Sequence, residues 1–158
     1  MERTGIDYSG VKGWLLMLCV TLTILDPLTG FFTLMGITNL LKPHFNEDPG
    51  LFKIVLIQGI CSTCLIVYSM YAGVSLWKIV PNALTTAKQY LRLLFCYSFF
   101  AIFLPVLVGL SEKTQTDFYK MNPLNNILVM AYVSIWYLYL LKSRRVKATY
   151  DENNSVEL

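Results

Sequence analysis

At 158 residues the chain has room for one small domain, and its 55% hydrophobic and 15% charged residues stand well apart from the roughly 25% charge of a soluble domain. That balance points to a membrane protein and excludes a membrane anchor joined to a separate soluble enzyme. The net charge of +3 is modest. Its one dense basic cluster, Lys142 to Lys147, abuts an apolar run, so nucleic-acid binding is not expected.

Residues 1–10 make a short polar head, after which the chain is apolar to about Leu41 except at Asp26. The run is too long for a signal-peptide core and does not end on a small-x-small cleavage pattern. As one straight helix, Trp14 to Leu41 measures about 42 Å, against a hydrocarbon core of about 30 Å. A tilt, an outward extension, or a kink or break at Asp26-Pro27 absorbs the excess. The pair itself favours kink or break. Proline removes a backbone donor, and Asp followed by Pro is also an N-cap and first-turn combination.

Lys42 to Gly50 reads as a loop, and the second span as about 52–77. Gly59, Ser62, Ser69 and Gly73 give that span a small-residue face, which permits close helix contact in lipid and places it centrally. Lys78 to Lys88 is the next loop, followed by a third span over about 91–110 with Pro105 near its outer end. Ser111 to Pro123 is polar, and Asn122-Pro123 turns the chain into a fourth span over about 124–141. Residues 142–158 follow as a basic, then polar, cytoplasmic tail. The expected architecture is therefore an all-α, polytopic single domain with four transmembrane helices.

Orientation follows from the basic residues. Arg3, Lys12, Lys78, Lys88, Arg92, Lys142, Arg144, Arg145 and Lys147 share one side, against Lys42, Lys53, Lys113 and Lys120 on the other. This predicts both termini in the cytoplasm, with Trp14, Trp77 and Tyr90 as an inner aromatic belt.

Asp26 is the candidate functional residue. A carboxylate at span depth costs about 2.5–3.5 kcal/mol on insertion scales, so it needs a partner or a purpose. Gln58 falls at a similar depth on the returning span and is its expected hydrogen-bond partner. Structurally, Asp26 caps a helix or bonds Gln58; functionally, it binds a proton or cation beside a broken helix, as in transporters. Thr23 and Thr29, one turn to either side, line such a site or back-bond to their own helix. Pro27 and Pro105 are candidate helix breaks at nearly one depth.

Other constellations carry less. Cys61-Ser62-Thr63-Cys64 has redox spacing, but burial in a span blunts a thiol, and the four cysteines read as small apolar residues. The single histidine, His44, lies in a loop with Glu47 and Asp48, so neither haem nor another metal centre is expected, and no cofactor is implied. No G-x-S-x-G, H-E-x-x-H or P-loop is present, and aspartyl chemistry needs a second buried acid, so the expectation is no enzyme. Lys142, Arg144, Arg145 and Lys147 set topology and are candidates for contact with anionic lipid headgroups.

Two stretches carry a resemblance. Gly10-Val11-Lys12-Gly13-Trp14-Leu15 opens the first span, and Trp136-Tyr137-Leu138-Tyr139, then Ser143-Arg144-Arg145-Val146-Lys147-Ala148-Thr149-Tyr150, closes the fourth. The chain thereby resembles an uncharacterised family of small four-span bacterial membrane proteins, whose members open with G-x-x-G-W-L and end with W-x-x-Y and S-x-R-V-K-x-T-aromatic. The resemblance implies a four-helix fold and a bacterial inner membrane but no activity, and Asp26 matches no position of its pattern. The expected role is a non-enzymatic interaction or assembly component, partnered by another membrane protein or by further copies of itself. The alternative is a small transporter or channel using Asp26.

Overall fold

The computed structural model describes residues 11, 13–42, 49–109, 123–144, 146, 147, 149 and 150. Four helices are long and apolar enough to cross a membrane: Trp14–Asn39, Gly50–Trp77, Ala83–Leu104 and Leu124–Lys142. In chain order the elements are α1 (Trp14–Val20), a π-helical turn (Thr21–Leu25), α2 (Asp26–Leu41), α3 (Pro49–Trp77), α4 (Ala83–Val108) and α5 (Pro123–Lys142). The loops holding His44, Glu47 and Asp48 and most of Ser111 to Pro123 lie outside the described residues, as does Arg145.

Of the kink or break expected at Asp26-Pro27, a break does not occur: the helix runs on through both residues. Leu25 and Asp26 both keep right-handed helical backbone, and Asp26 does not cap α2. The irregularity falls one turn earlier, in the π-helical turn. The Asp26 N–H reaches back five residues to the Thr21 carbonyl. The carbonyl of Leu22 would receive the Asp26 N–H in α register or the Pro27 N–H in π register, and it gets neither. The Ser69 hydroxyl on α3 donates to it at 2.7 Å and closes the gap. Proline and the wide turn thus remove one bond, and the neighbouring span restores it, as an apolar solvent requires.

Close approach makes that restoration possible. A Cβ added to Gly73 would collide with Thr23 Oγ1 and come within 2.9 Å of the Thr23 nitrogen, so α3 lies directly on the π-turn. At Gly30 an added Cβ would meet Ile66 at 3.0 Å. The small residues of α3 do not share one partner, however. Ser69 and Gly73 meet the first span, Ser62 bonds Tyr97 of α4 at 2.8 Å, and Gly59 has open space beside it.

The turn after α3 is shorter than expected, since α4 already begins at Ala83. Ile79 takes the left-handed conformation (φ 50°), its N–H bonds Leu76, and the Val80 N–H reaches Ser75. This is a Schellman termination with a β-branched residue where glycine is favoured. Asn82, also left-handed (φ 65°), leads into α4, and its carbonyl accepts from the Thr86 N–H. Pro105 does not end α4 either: the helix runs through it to Val108 and closes at Gly109 (φ 71°). Neither candidate proline is a helix break.

The tail is folded as far as it is described. The Ser143 N–H bonds Tyr139 and the Lys147 N–H bonds Ser143, while Val146, Thr149 and Tyr150 are buried. The Tyr150 hydroxyl donates to the Leu76 carbonyl at 2.8 Å, tying the end of the chain to the end of α3. Burial pushes the Tyr150 phenol above its usual range.

The first span packs on α3, α3 on α4, and α4 on α5, with no comparably extended seam between the first span and either α4 or α5. A core joins the helix ends nearest the termini: Leu15, Leu18, Leu22, Leu76, Leu91, Trp136 and Leu140, sealed by Val146 and Tyr150. Trp14 and Trp136 meet there at 6.3 Å between ring centres. The two stretches carrying the family resemblance therefore converge in this core. At the opposite end, among the described residues, Leu51 and Ile54 form a small cluster with Leu104 and Val108. Phe31, Phe32, Phe99, Phe100 and Leu107 are exposed, as a lipid-facing surface requires. Trp14 and Trp77 are exposed at the terminal end and suit an aromatic belt. Tyr90 does not join them, because it is buried and points into the bundle.

Candidate intramembrane binding site

Where the first span and α5 lack a continuous seam, the bundle leaves a cavity of about 430 Å³ beyond the terminal core. All four spans line it. The first span contributes a stripe at helical spacing, Thr21, Leu25, Asp26, Thr29 and Thr33, on the face that α3 leaves uncovered. From α3 come Gln58 and Ser62, from α4 Tyr90, Tyr97 and Ser98, and from α5 Asn125, Asn126 and Tyr132.

Asp26 is the electrostatic centre. Tyr90 donates to its Oδ2 and Tyr132 to its Oδ1, each at 3.0 Å. One tyrosine per carboxylate oxygen makes the acid a cross-brace, since α4 and α5 are the two spans with which the first has no extended packing. Tyr90 is itself held edge-on by Tyr68, whose ring centre lies 6.1 Å away. Tyr132 packs edge-on against Trp136 at 6.3 Å, so the brace rests on the terminal core.

The expected Asp26–Gln58 hydrogen bond does not form, because the tyrosines occupy the carboxylate. Gln58 nonetheless lines the same cavity. It is 3% exposed, and its Oε1 has no hydrogen-bond partner. A buried amide oxygen in that state costs about 1–3 kcal/mol, which a donor in the cavity would recover. Thr29 lines the cavity and also back-bonds to the Leu25 carbonyl at 2.8 Å; Thr23 back-bonds to Cys19 and packs beside Gly73.

The remaining candidates lie elsewhere. Cys61, Cys64 and Cys96 are exposed and Cys19 is buried, with all four thiols free. No group of three or more His, Cys, Asp or Glu comes together among the described residues. Lys142, Arg144 and Lys147 are exposed at the terminal end.

Tyr90 and Tyr132 were not among the expected site residues, although a signal existed. Tyr90, Tyr97 and Ser98 recur at steps of seven and one along an apolar helix, and Asn125 and Tyr132 are seven apart on the next. Polar groups at helical spacing within spans mark an inward stripe.

One family model matches this chain, over residues 8–150, and its description is "Protein of unknown function (DUF2569)". No curated protein and no solved structure matches it.

Proposed function

The chain belongs to the DUF2569 family, for which no activity is described, and from that premise we propose that it is a non-enzymatic membrane protein that binds a proton or cation at Asp26 in the course of small-solute transport. One observation carries this reading: the carboxylate of Asp26 sits in a cavity of about 430 Å³, oriented by two tyrosines, in a lining that also holds the buried Gln58. A purely structural acid has no need of open space beside it. The apolar core closes the cavity toward the termini, as one closed gate of an alternating-access cycle would. In that cycle Tyr90 and Tyr132 exchange the acid with the bound cation, and the brace between the spans loosens.

The proposed setting is a bacterial inner membrane with both termini in the cytoplasm, supported by the excess of basic residues on the terminal side. The exposed Lys142, Arg144 and Lys147 then stand at the level of anionic headgroups. A second reading, assembly with another membrane protein or a further copy, is favoured by the missing seam between α2 and α5, where a foreign helix would complete the ring.

Proteoliposome flux decides between them. Proton or monovalent-cation flux is expected in the wild type and lost in Asp26→Asn. Flux that the substitution leaves unchanged overturns the transport reading. A stoichiometric partner helix crosslinked to both α2 and α5 supports assembly instead.

A further inference from the structure

We propose that the cavity takes an amphiphilic primary ammonium ion, admitted sideways from the bilayer between α2 and α5; this deepens the cation-binding reading and rests on it.

The single carboxylate, with the threonine lone pairs beside it, gives the head group. Thr21, Thr29 and Thr33 line the cavity, and each has already given its hydroxyl hydrogen to its own helix, at Met17, Leu25 and Thr29. What they turn to the cavity is oxygen lone pairs. Tyr90 and Tyr132 have likewise given theirs to Asp26, and the Gln58 Oε1 is unpaired. The lining contains no Lys, Arg or His, and its one formal charge is that of Asp26. An anion would find no cationic partner. A primary ammonium brings a positive charge for Asp26 and three donors for the oxygen lone pairs around it. A quaternary ammonium brings the charge without the donors, and leaves those lone pairs unpaired.

The walls give the tail. Leu34, Ile37, Leu65, Ile66, Leu94 and Ala101 surround the polar groups with aliphatic surface. The volume of about 430 Å³ lies within the range of small-molecule sites, far larger than a bare inorganic cation needs.

The mouth gives the route. The exposed lining residues are Leu25, Thr29 and Thr33 on the first span and Asn125 and Leu128 on α5. Every lining residue from α3 and α4 is buried or half-buried. The opening therefore lies along the gap between the two helices that do not pack together, and that gap faces hydrocarbon. An amphiphile already dissolved in the bilayer enters head first without crossing water.

The test uses the full chain in nanodiscs of zwitterionic lipid, with binding of n-octylammonium measured against empty nanodiscs. Saturable one-to-one binding is expected, at least tenfold weaker in both Asp26→Asn and Gln58→Leu. Gln58→Leu removes an unpaired amide, so it keeps the fold and leaves Asp26 in place. Octanoate and octyltrimethylammonium are expected to bind at least tenfold more weakly than n-octylammonium. Equal binding of either control, or no change in Gln58→Leu, overturns the ligand class. Leu128→Trp is expected to slow association at least fivefold; an unaltered association rate overturns the lateral route. Loss of n-octylammonium binding while Asp26-dependent proton flux persists sinks this inference alone, and loss of both sinks the cation-binding reading as well.

Discussion

The hydroxyl of Ser69 reaches across from α3 to the carbonyl of Leu22, 2.7 Å away, and supplies the bond that Pro27 and the π-turn take from the first span. The two residues are 47 positions apart, so a local defect in one helix is repaired by a different one. Ser69→Ala strands a buried carbonyl in an apolar solvent and is expected to cost about 1–3 kcal/mol. In a Pro27→Ala background the restored N–H can serve Leu22 itself, so Ser69→Ala should cost measurably less. A double-mutant cycle on thermal unfolding in detergent reads the difference, and additive effects would break the link between proline and serine.

Gly73 and Gly59 separate contact from composition. Gly73→Ala drives a Cβ into Thr23 and the π-turn backbone, and overpacking of that kind costs about 1–3 kcal/mol. Gly59→Ala meets nothing within 4 Å and gains helix propensity, so it should be neutral or stabilising by up to about 1 kcal/mol. Melting temperatures of the two variants should move in opposite directions. Equal losses would mean that the close approach at Gly73 is not specific.

The Asp26 brace predicts coupling. Tyr90→Phe and Tyr132→Phe each remove one hydrogen bond to the acid, at about 1.5–3 kcal/mol for a charged acceptor. Both contacts share one carboxylate, so the double variant should depart from additivity by about 0.5–3 kcal/mol. Additive losses in chemical or thermal unfolding would show that the tyrosines act independently of Asp26.

Burial of Tyr150 makes the tail sensitive to alkali. Its phenol is raised in the folded chain, so the folded state binds the proton more tightly than the unfolded one. The attachment is at full strength below the unfolded pKa of about 10 and weakens as pH rises above it. Protease cleavage after Lys147 should therefore accelerate above pH 10 in the wild type and show no such rise in Tyr150→Phe, which keeps the ring and loses only the bond to Leu76. A pH-independent cleavage rate in the wild type would rule out the phenol as the sensor.

Topology offers a direct check on orientation. A cysteine introduced after Tyr150, in a chain whose four native cysteines are replaced, is expected to react only from the cytoplasmic side. Periplasmic labelling would invert the proposed arrangement.

Span number, and the meeting of Asp26 and Gln58 at one cavity, were legible because they follow from hydropathy and a rise of 1.5 Å per residue. The partner of Asp26 was not legible, because depth does not give azimuth. Gln58 lies at the right height, but Tyr90 and Tyr132 point at the acid. Tyr90 was misassigned to the aromatic belt because α4 was started eight residues too late, at about 91 where the helix begins at Ala83. Pro27 was readable as a disturbance, yet whether a helix breaks or widens depends on a neighbour that can satisfy the freed carbonyl. Ser69 is that neighbour, and no local rule connects it to residue 22.

The bond from Tyr150 to Leu76 spans 74 residues, and it sets an order of assembly. At synthesis rates of about 5–20 residues per second, about 4–15 s pass between the emergence of Leu76 and that of its partner. At the start of that interval only the first two spans have been made; α4 and α5 arrive during it, with the terminal core unfinished. Only the last helical turn closes it. A nascent chain that stops before Tyr150 lacks the bond to Leu76 and leaves that end of α3 unsealed.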